Sequence, residues 1–306
     1  MIKPERNDPC WCKSGKKYKK CHMLIDNKSG LEKVQASEEN YINKWEKSAT
    51  NFESSGCYKW MIDQIKYIGP KRILEIGCGD GTALKNIIRE IDPLFIVSLE
   101  DNNECIRVAA KKLSKDNIGN VKIYKRYKKE MLSNDMFNDS VVESELKLDS
   151  KINIIEANVI FDTGIIEFLK TQEKFDLVVV WLIGTHTMQK NCQNLTEYEI
   201  KTVNQYRLHV QNKVYEMADV LLRKGGVLQV VDRSEIPDKK ELTDDLINSH
   251  KEQASVTTLE VLGLKYYEYK ELEEKGKMGL KITVPDTGRI PNLEKTCVIS
   301  VVSEKR

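Results

Sequence analysis

Two groups of residues in this 306-residue chain have types and spacings suited to chemistry. The first is Cys10, Cys12, Cys21 and His22. Four soft or borderline donors in one short segment suit a closed, tetrahedral zinc site. The Cys-x-Cys pair follows Pro9, the turn Ser14-Gly15 reverses the chain, and Lys16 to Cys21 returns the second pair. So short a segment has almost no core, and bound metal would supply most of its folding free energy. The second group is Glu75, Gly77, Cys78, Gly79, Gly81 and Thr82, followed by Glu100 and Asp101. Glycines allow a sharp turn and close approach to a ligand, and a helix N-terminus behind them offers unpaired N–H groups. A dinucleotide fingerprint G-x-G-x-x-G needs glycine where this chain has Thr82, and the additional glycine falls at Gly81. Glu75, two residues before the first glycine, is an acid that suits a ligand with an ammonium group better than a pyrophosphate. Glu100 lies about 20 residues past the turn, at the end of the next strand, where carboxylate oxygens accept from both ribose hydroxyls. Asp101 is its near alternative.

These residues need a frame. Ile73 to Ile76 reads as a short apolar strand, and Leu84, Ile87, Ile88 and Ile91 return at helical spacing. Leu94 to Leu99 is a second strand and Glu104 to Leu113 a helix. Ile152 to Ile155 is the next strand that fits, which leaves residues 114–151 as an insertion; a different register would make Val121 to Tyr124 the third strand. Residues 162–171 form a short helix. The continuous apolar run Phe175 to Trp181 reads as a buried parallel strand. Its end, Trp181 to His186, falls at the carboxyl edge of the sheet, where open α/β sheets bind ligands. His186 is the histidine placed to take a proton from an acceptor. A long helix spans 198–222 with a glycine stop at Gly225-Gly226, then come a strand at Val227 to Val231, a helix over 238–262, and strands at Leu264 to Tyr269 and Cys297 to Val302. Residues 271–295 form a charged loop between those last strands. Upstream, residues 38–68 read as two helices broken near Ser54-Ser55-Gly56, with Tyr58 and Trp60 as core or site-lining aromatics.

Two resemblances carry these readings further. The run Asn7-Asp8-Pro9-Cys10, with Ser14-Gly15-Lys16-Lys17-Tyr18-Lys19-Lys20-Cys21-His22, resembles the SEC-C zinc motif. The chain departs from it at Trp11, Lys13 and Met23, while all four ligand positions match. The resemblance implies a structural zinc unit that contacts protein partners, including translation and secretion machinery. The pattern Leu74-Glu75-Ile76-Gly77-Cys78-Gly79-Asp80-Gly81 closely resembles the first motif of class I S-adenosylmethionine-dependent methyltransferases. Phe175 to Val178 and Leu221 to Leu228 resemble two later motifs. This implies a Rossmann-like, doubly wound seven-stranded α/β sheet with its last strand antiparallel. It also implies that Glu75, Gly77, Cys78 and Gly79 hold the methionine end of the cofactor, Glu100 or Asp101 the ribose, and Asn158 and Val159 the adenine, with Trp181 at the edge.

The expected organisation is therefore a zinc module at residues 1–28, a linker and helical cap at 29–69, and a methyltransferase domain at 70–306. Lys+Arg is 49 and Asp+Glu 47, a balance that argues against a surface built wholly for nucleic acid. Lys16, Lys17, Lys19 and Lys20 nevertheless give the zinc module a basic face for a protein or ribosome partner. No apolar run approaches the roughly 20 residues needed to span a membrane, and no secretory signal is visible. Eight scattered cysteines suit a reduced, cytoplasmic chain. The stretch after Val180 lacks the Asn/Asp-Pro-Pro-aromatic signature of exocyclic base amine methylation, and Cys192 lacks a Pro-Cys context. The acceptor stays open among small molecule, peptide, protein and RNA. The rival readings are a nonenzymatic adaptor on the same fold and a nicotinamide oxidoreductase.

Overall fold

The computed structural model describes residues 4–10, 14–23, 28–142, 145–270 and 296–306. The sheet has eight strands in the order β3-β6-β2-β1-β7-β8-β10-β9. They are β1 (Arg72–Ile76), β2 (Phe95–Glu100), β3 (Val121–Tyr124), β6 (Ile152–Glu156), β7 (Phe175–Trp181), β8 (Leu222–Glu235), β9 (Leu259–Glu268) and β10 (Thr296–Lys305). Neighbours from β3 through β8 pair parallel, and β10 runs antiparallel to both β8 and β9. The seven expected strands are present, and the two candidate third strands are both real. Ile152–Glu156 pairs with β2, and Val121–Tyr124 adds an eighth strand outside it. Burial explains the order: every residue of Ile152–Glu156 is buried, as an interior strand requires, whereas only Tyr124 of β3 is.

Seven helices cover the two faces. α1 (Gly30–Ser54), α2 (Cys57–Asp63), α3 (Thr82–Ile91) and α4 (Asn103–Lys115) cover one face. α5 (Thr163–Lys170), α6 (Val203–Leu221) and α7 (Lys240–Ala254) cover the other. Strand alternation divides β1 between the layers: Ile73 faces the first, and Leu74 and Ile76 the second. α1 starts with a capping box in which Ser29 and Glu32 satisfy each other's backbone amides. It breaks from α2 at Gly56, whose φ of +81° suits glycine.

Several boundaries differ from the sequence expectation. α6 begins at Val203, with a 3-10 turn at Gln193–Tyr198 before it, and it does not end on glycine. β8 follows directly at Leu222 and contains Gly225 and Gly226. The Lys174 ammonium donates to the Val220 carbonyl at 2.6 Å and Lys305 to that of Leu222 at 3.1 Å, so lysines satisfy the end of the helix. α7 stops at Ala254, and β9 starts five residues before the expected Leu264. The insertion is ordered: beyond β3 it forms a hairpin of β4 (Tyr127–Met131) and β5 (Phe137–Val141). The loop at 271–295 lies outside the described residues. Among the described residues, no helix is long and apolar enough to cross a membrane.

Candidate functional site

The carboxyl ends of β1, β2, β6 and β7 meet at a cleft. Gly77, Gly79, Glu100, Asp101, Asn158, Val159 and Trp181 all line it. Gly77 and Gly79 have φ of +85° and +52°. A Cβ on Gly77 would stand 2.8 Å from Ile183, and one on Gly79 would collide with the Trp45 indole. Gly81 serves packing instead. A Cβ there would stand 2.9 Å from the Ala109 backbone, so the glycine lets α3 approach α4.

Carboxyl groups surround this turn. Glu100 is buried, and its two oxygens accept from the Gly79 and Asn102 amides, each at 3.0 Å. Burial and adjacent Asp101 push its carboxyl above the usual range. Glu75 is buried beneath the turn and accepts from Ser98 at 2.7 Å. Desolvation raises its carboxyl to about 7. Neither Glu75 nor Cys78 is among the residues lining the cleft; both point into packed interior. Asp80, 1% exposed, accepts from the Thr82 amide at 3.2 Å and the Thr82 hydroxyl at 2.7 Å, and it ion-pairs with Lys112. The first free amide of α3 is thereby taken by the chain's own carboxylate.

On the other side, Asn158 donates to Asp101 at 2.7 Å and to the Tyr206 hydroxyl at 3.0 Å. Tyr206 also donates to Asp101, at 2.7 Å. The inserted hairpin braces this corner. The Tyr127 hydroxyl accepts from the Asn158 amide at 2.6 Å and donates to Asp162 at 2.9 Å. Lys129 joins Asp139 at 3.0 Å to Glu38 of α1 at 3.4 Å. Glu38 is thereby tied to the hairpin, yet desolvation still raises its carboxyl to about 7.

α1 lies across the opening. Tyr41 and Trp45 line the cleft, and a Cβ on Gly184 would stand 2.6 Å from the Tyr41 hydroxyl. The remaining cavity is only about 50 Å³. The expected aromatic cap is therefore present but is made of other residues. Tyr58 is core, stacked on Trp181 at 6.4 Å, and Trp60 packs on Tyr267 at 5.5 Å. The Trp181 indole donates to Gln229 at 2.9 Å, which presents its ring to the cleft in one orientation.

A second chamber of about 320 Å³ abuts the cleft, sharing Tyr41, Trp45, Ile183 and Gly184 with it. His186 is here, not in the cleft. Its Nδ1 sits 3.3 Å from the Ser37 hydroxyl. Burial, with the Lys129 charge nearby, depresses its pKa to about 3, so the ring is neutral at physiological pH. That makes it a hydrogen-bonding group and a weak base.

At the N-terminus, donor atoms of Cys10, Cys21 and His22 all lie within 4.8 Å of one another. His22 Nδ1 is 3.1 Å from the Cys10 sulfur and 3.3 Å from that of Cys21. Tetrahedral zinc with Zn–S near 2.3 Å and Zn–N near 2.0 Å sets its ligands about 3.5 Å apart, so the cluster fits a metal. Cys12 lies outside the described residues.

Comparison with known proteins adds one match by sequence. Residues 6–24 match the SEC-C motif. No curated protein matches the chain. Among solved structures, TrmN from Thermus thermophilus superposes with a TM-score of 0.44 at 10% identity, over 81% of this chain and 48% of that one. This chain thus spans about half of that protein. The N-methyltransferase NodS from Bradyrhizobium japonicum WM9 gives 0.42 at 10%, over 83% and 97%. TehB from Haemophilus influenzae gives 0.39 at 14%, over 80% and 61%. At such scores the likenesses carry no argument about function, which rests on the cleft itself.

Sequence reasoning misses Asp80, Tyr127, Tyr206, Tyr41 and Trp45. Asp80 has a signal, an acid just before a helix start. The tyrosines and Trp45 reach the cleft from an insertion and from helices whose docking no local pattern encodes.

Proposed function

We propose that the chain transfers a methyl group from S-adenosylmethionine to an acceptor, with its N-terminal zinc module serving a structural role. The observation that carries this is Asp80. In a dinucleotide site, a pyrophosphate sits on the amides of the helix after the glycine turn. Here that terminus holds a buried carboxylate paired with Lys112, with Glu75 and Glu100 nearby. A second anion would be repelled, whereas a ligand carrying an ammonium and a sulfonium gains from all three acids.

S-adenosylmethionine, when bound, supplies a methyl group on a sulfonium, which passes to an acceptor lone pair as the carbon–sulfur bond breaks toward sulfur. The residues do the rest. Glu100 offers carboxylate lone pairs for ribose hydroxyls, and the Gly79 and Asn102 amides keep it in place. Asn158, fixed by Asp101 and Tyr206, forms the adenine end beside Val159. α1 covers the cleft with Trp45 and Tyr41 and excludes water. His186 stays neutral and orients the acceptor, so rate comes mainly from proximity and alignment.

Cys10, Cys21 and His22, with Cys12, would hold the zinc, and the lysines at 16, 17, 19 and 20 would dock a protein or ribosomal partner. No disulfide joins any two of the described cysteines, which supports a reducing, cytoplasmic setting. An adaptor without activity would have no use for a cleft that keeps its glycine turn and acids. Titration calorimetry with S-adenosylhomocysteine and with NADH tests the reading. Micromolar binding of the first alone is expected; binding of NADH alone, or of neither, overturns it.

A further inference from the structure

The chamber beside the cleft says something about the acceptor, if the methyltransferase reading holds. The geometry points to a small acceptor that carries an anionic group, a carboxylate or a phosphate, at the end of the molecule away from the methylated atom. The volume sets the first limit. About 320 Å³ is at the low end for small-molecule sites, which excludes a folded polypeptide or a nucleic-acid duplex as its occupant.

Charge sets the second. Lys44 from α1, Arg207 from α6 and Arg233 from β8 line the chamber, against one lining carboxylate, Asp232. Asp232 is already engaged, by Arg207 at 3.2 Å and by Gln211 at 2.5 Å. Arg207 and Arg233 are 7% and 9% exposed, so their charges act in a medium far less screening than water. A guanidinium is a planar fork matched to carboxylate and phosphate oxygens, and it binds them while also holding another partner.

The opposite wall is polar and neutral. Thr185 Oγ1 and His186 Nε2 are buried and have no hydrogen-bond partner among the described residues, and both residues line the chamber. A buried polar atom without a partner costs about 1–3 kcal/mol, and a ligand N–H or O–H would satisfy it. These atoms belong to the loop that also borders the cofactor cleft through Ile183 and Gly184. The chamber thus has a cationic end and a hydrogen-bonding end, and the second adjoins the methyl donor.

The test incubates the full-length protein with methyl-labelled S-adenosylmethionine and the low-molecular-mass fraction of a cell extract, then separates products by anion exchange. Label retained on the column supports the proposal. Pretreating the extract with phosphatase distinguishes its two forms: lost retention assigns a phosphate and persistent retention a carboxylate. Label in unretained or macromolecular fractions overturns it, as does no label from protein that binds S-adenosylhomocysteine. Protein that fails to bind S-adenosylhomocysteine refutes the methyltransferase reading instead. Lys44→Glu, at an exposed position that does not endanger folding, should raise KM for the labelled acceptor at least fivefold and leave kcat and S-adenosylhomocysteine affinity within twofold. An unchanged KM counts against the cationic end.

Discussion

Glu75 offers a direct measurement of how the cleft stores charge. Its carboxyl is fully enclosed, with Ser98 as its hydrogen-bond partner, and desolvation raises its pKa from the ordinary 4.5 to about 7. A carboxyl raised on folding binds its proton more tightly in the native state than in the unfolded one. Between pH 4.5 and 7 the native state therefore holds more protons, and stability falls as pH rises through that window. Above pH 7 the full penalty applies; a rise of 2.5 at 1.36 kcal/mol per pH unit is about 3 kcal/mol. Glu75→Gln imitates the protonated acid and still accepts from Ser98. The variant should match the wild type near pH 4.5 and exceed it by about 3 kcal/mol at pH 8. Urea unfolding at both pH values, without ligand, reads this as an upward midpoint shift of roughly 1 M at pH 8 only. A difference independent of pH, or a variant less stable than wild type at pH 8, would refute the burial argument for the acid beneath the turn.

Three other outcomes follow from the site. Glu100→Ala should weaken S-adenosylhomocysteine binding at least tenfold by calorimetry, because both ribose contacts are lost; unchanged affinity removes Glu100 from the ribose position. Trp45→Ala should lower stability by about 3 kcal/mol, as truncation of a buried tryptophan does, yet speed S-adenosylhomocysteine association in stopped-flow fluorescence, since the indole stands against Gly79. Slower association would show that α1 is not in the way. His186 is held neutral down to about pH 3, so it makes stability rise as pH climbs from about 3 to 6.5, and kcat should show no inflection near 6.5. An acid limb near 6.5 that His186→Asn abolishes would make it a titrating base.

Much of this is legible in the sequence. The buried run Phe175 to Trp181, the glycine turn and the two acids each leave a local pattern, and they meet in one cleft because parallel strands deliver their carboxyl ends to one edge. Glu75 stands out by its position as an acid unsuited to a pyrophosphate, but the expected contact of its side chain with the ligand is not made. Strand alternation sends it inward, toward Ser98. Two limits are physical. Helix ends escape the pattern where lysines from distant segments, Lys174 and Lys305, replace the usual glycine. The adenine corner is incomplete in the sequence because Tyr127 reaches it from an insertion, and contacts across 31 residues leave no periodic trace.

The eighth strand also bears on how the chain reaches this structure. β6 is inserted between β2 and β3, although β3 precedes it in the chain. While residues 101–151 emerge during synthesis, the edge of β2 stands open and β3 is the nearest strand able to pair there. Such a pairing would shut β6 out of the sheet. β3 is a poor competitor: it has four residues, and only Tyr124 is buried, whereas Ile152–Glu156 brings five buried residues. The segment at most risk of trapping the fold is thus the one with least to gain from the wrong partner. A Val121–Tyr124 made more apolar would refold more slowly before it became less stable.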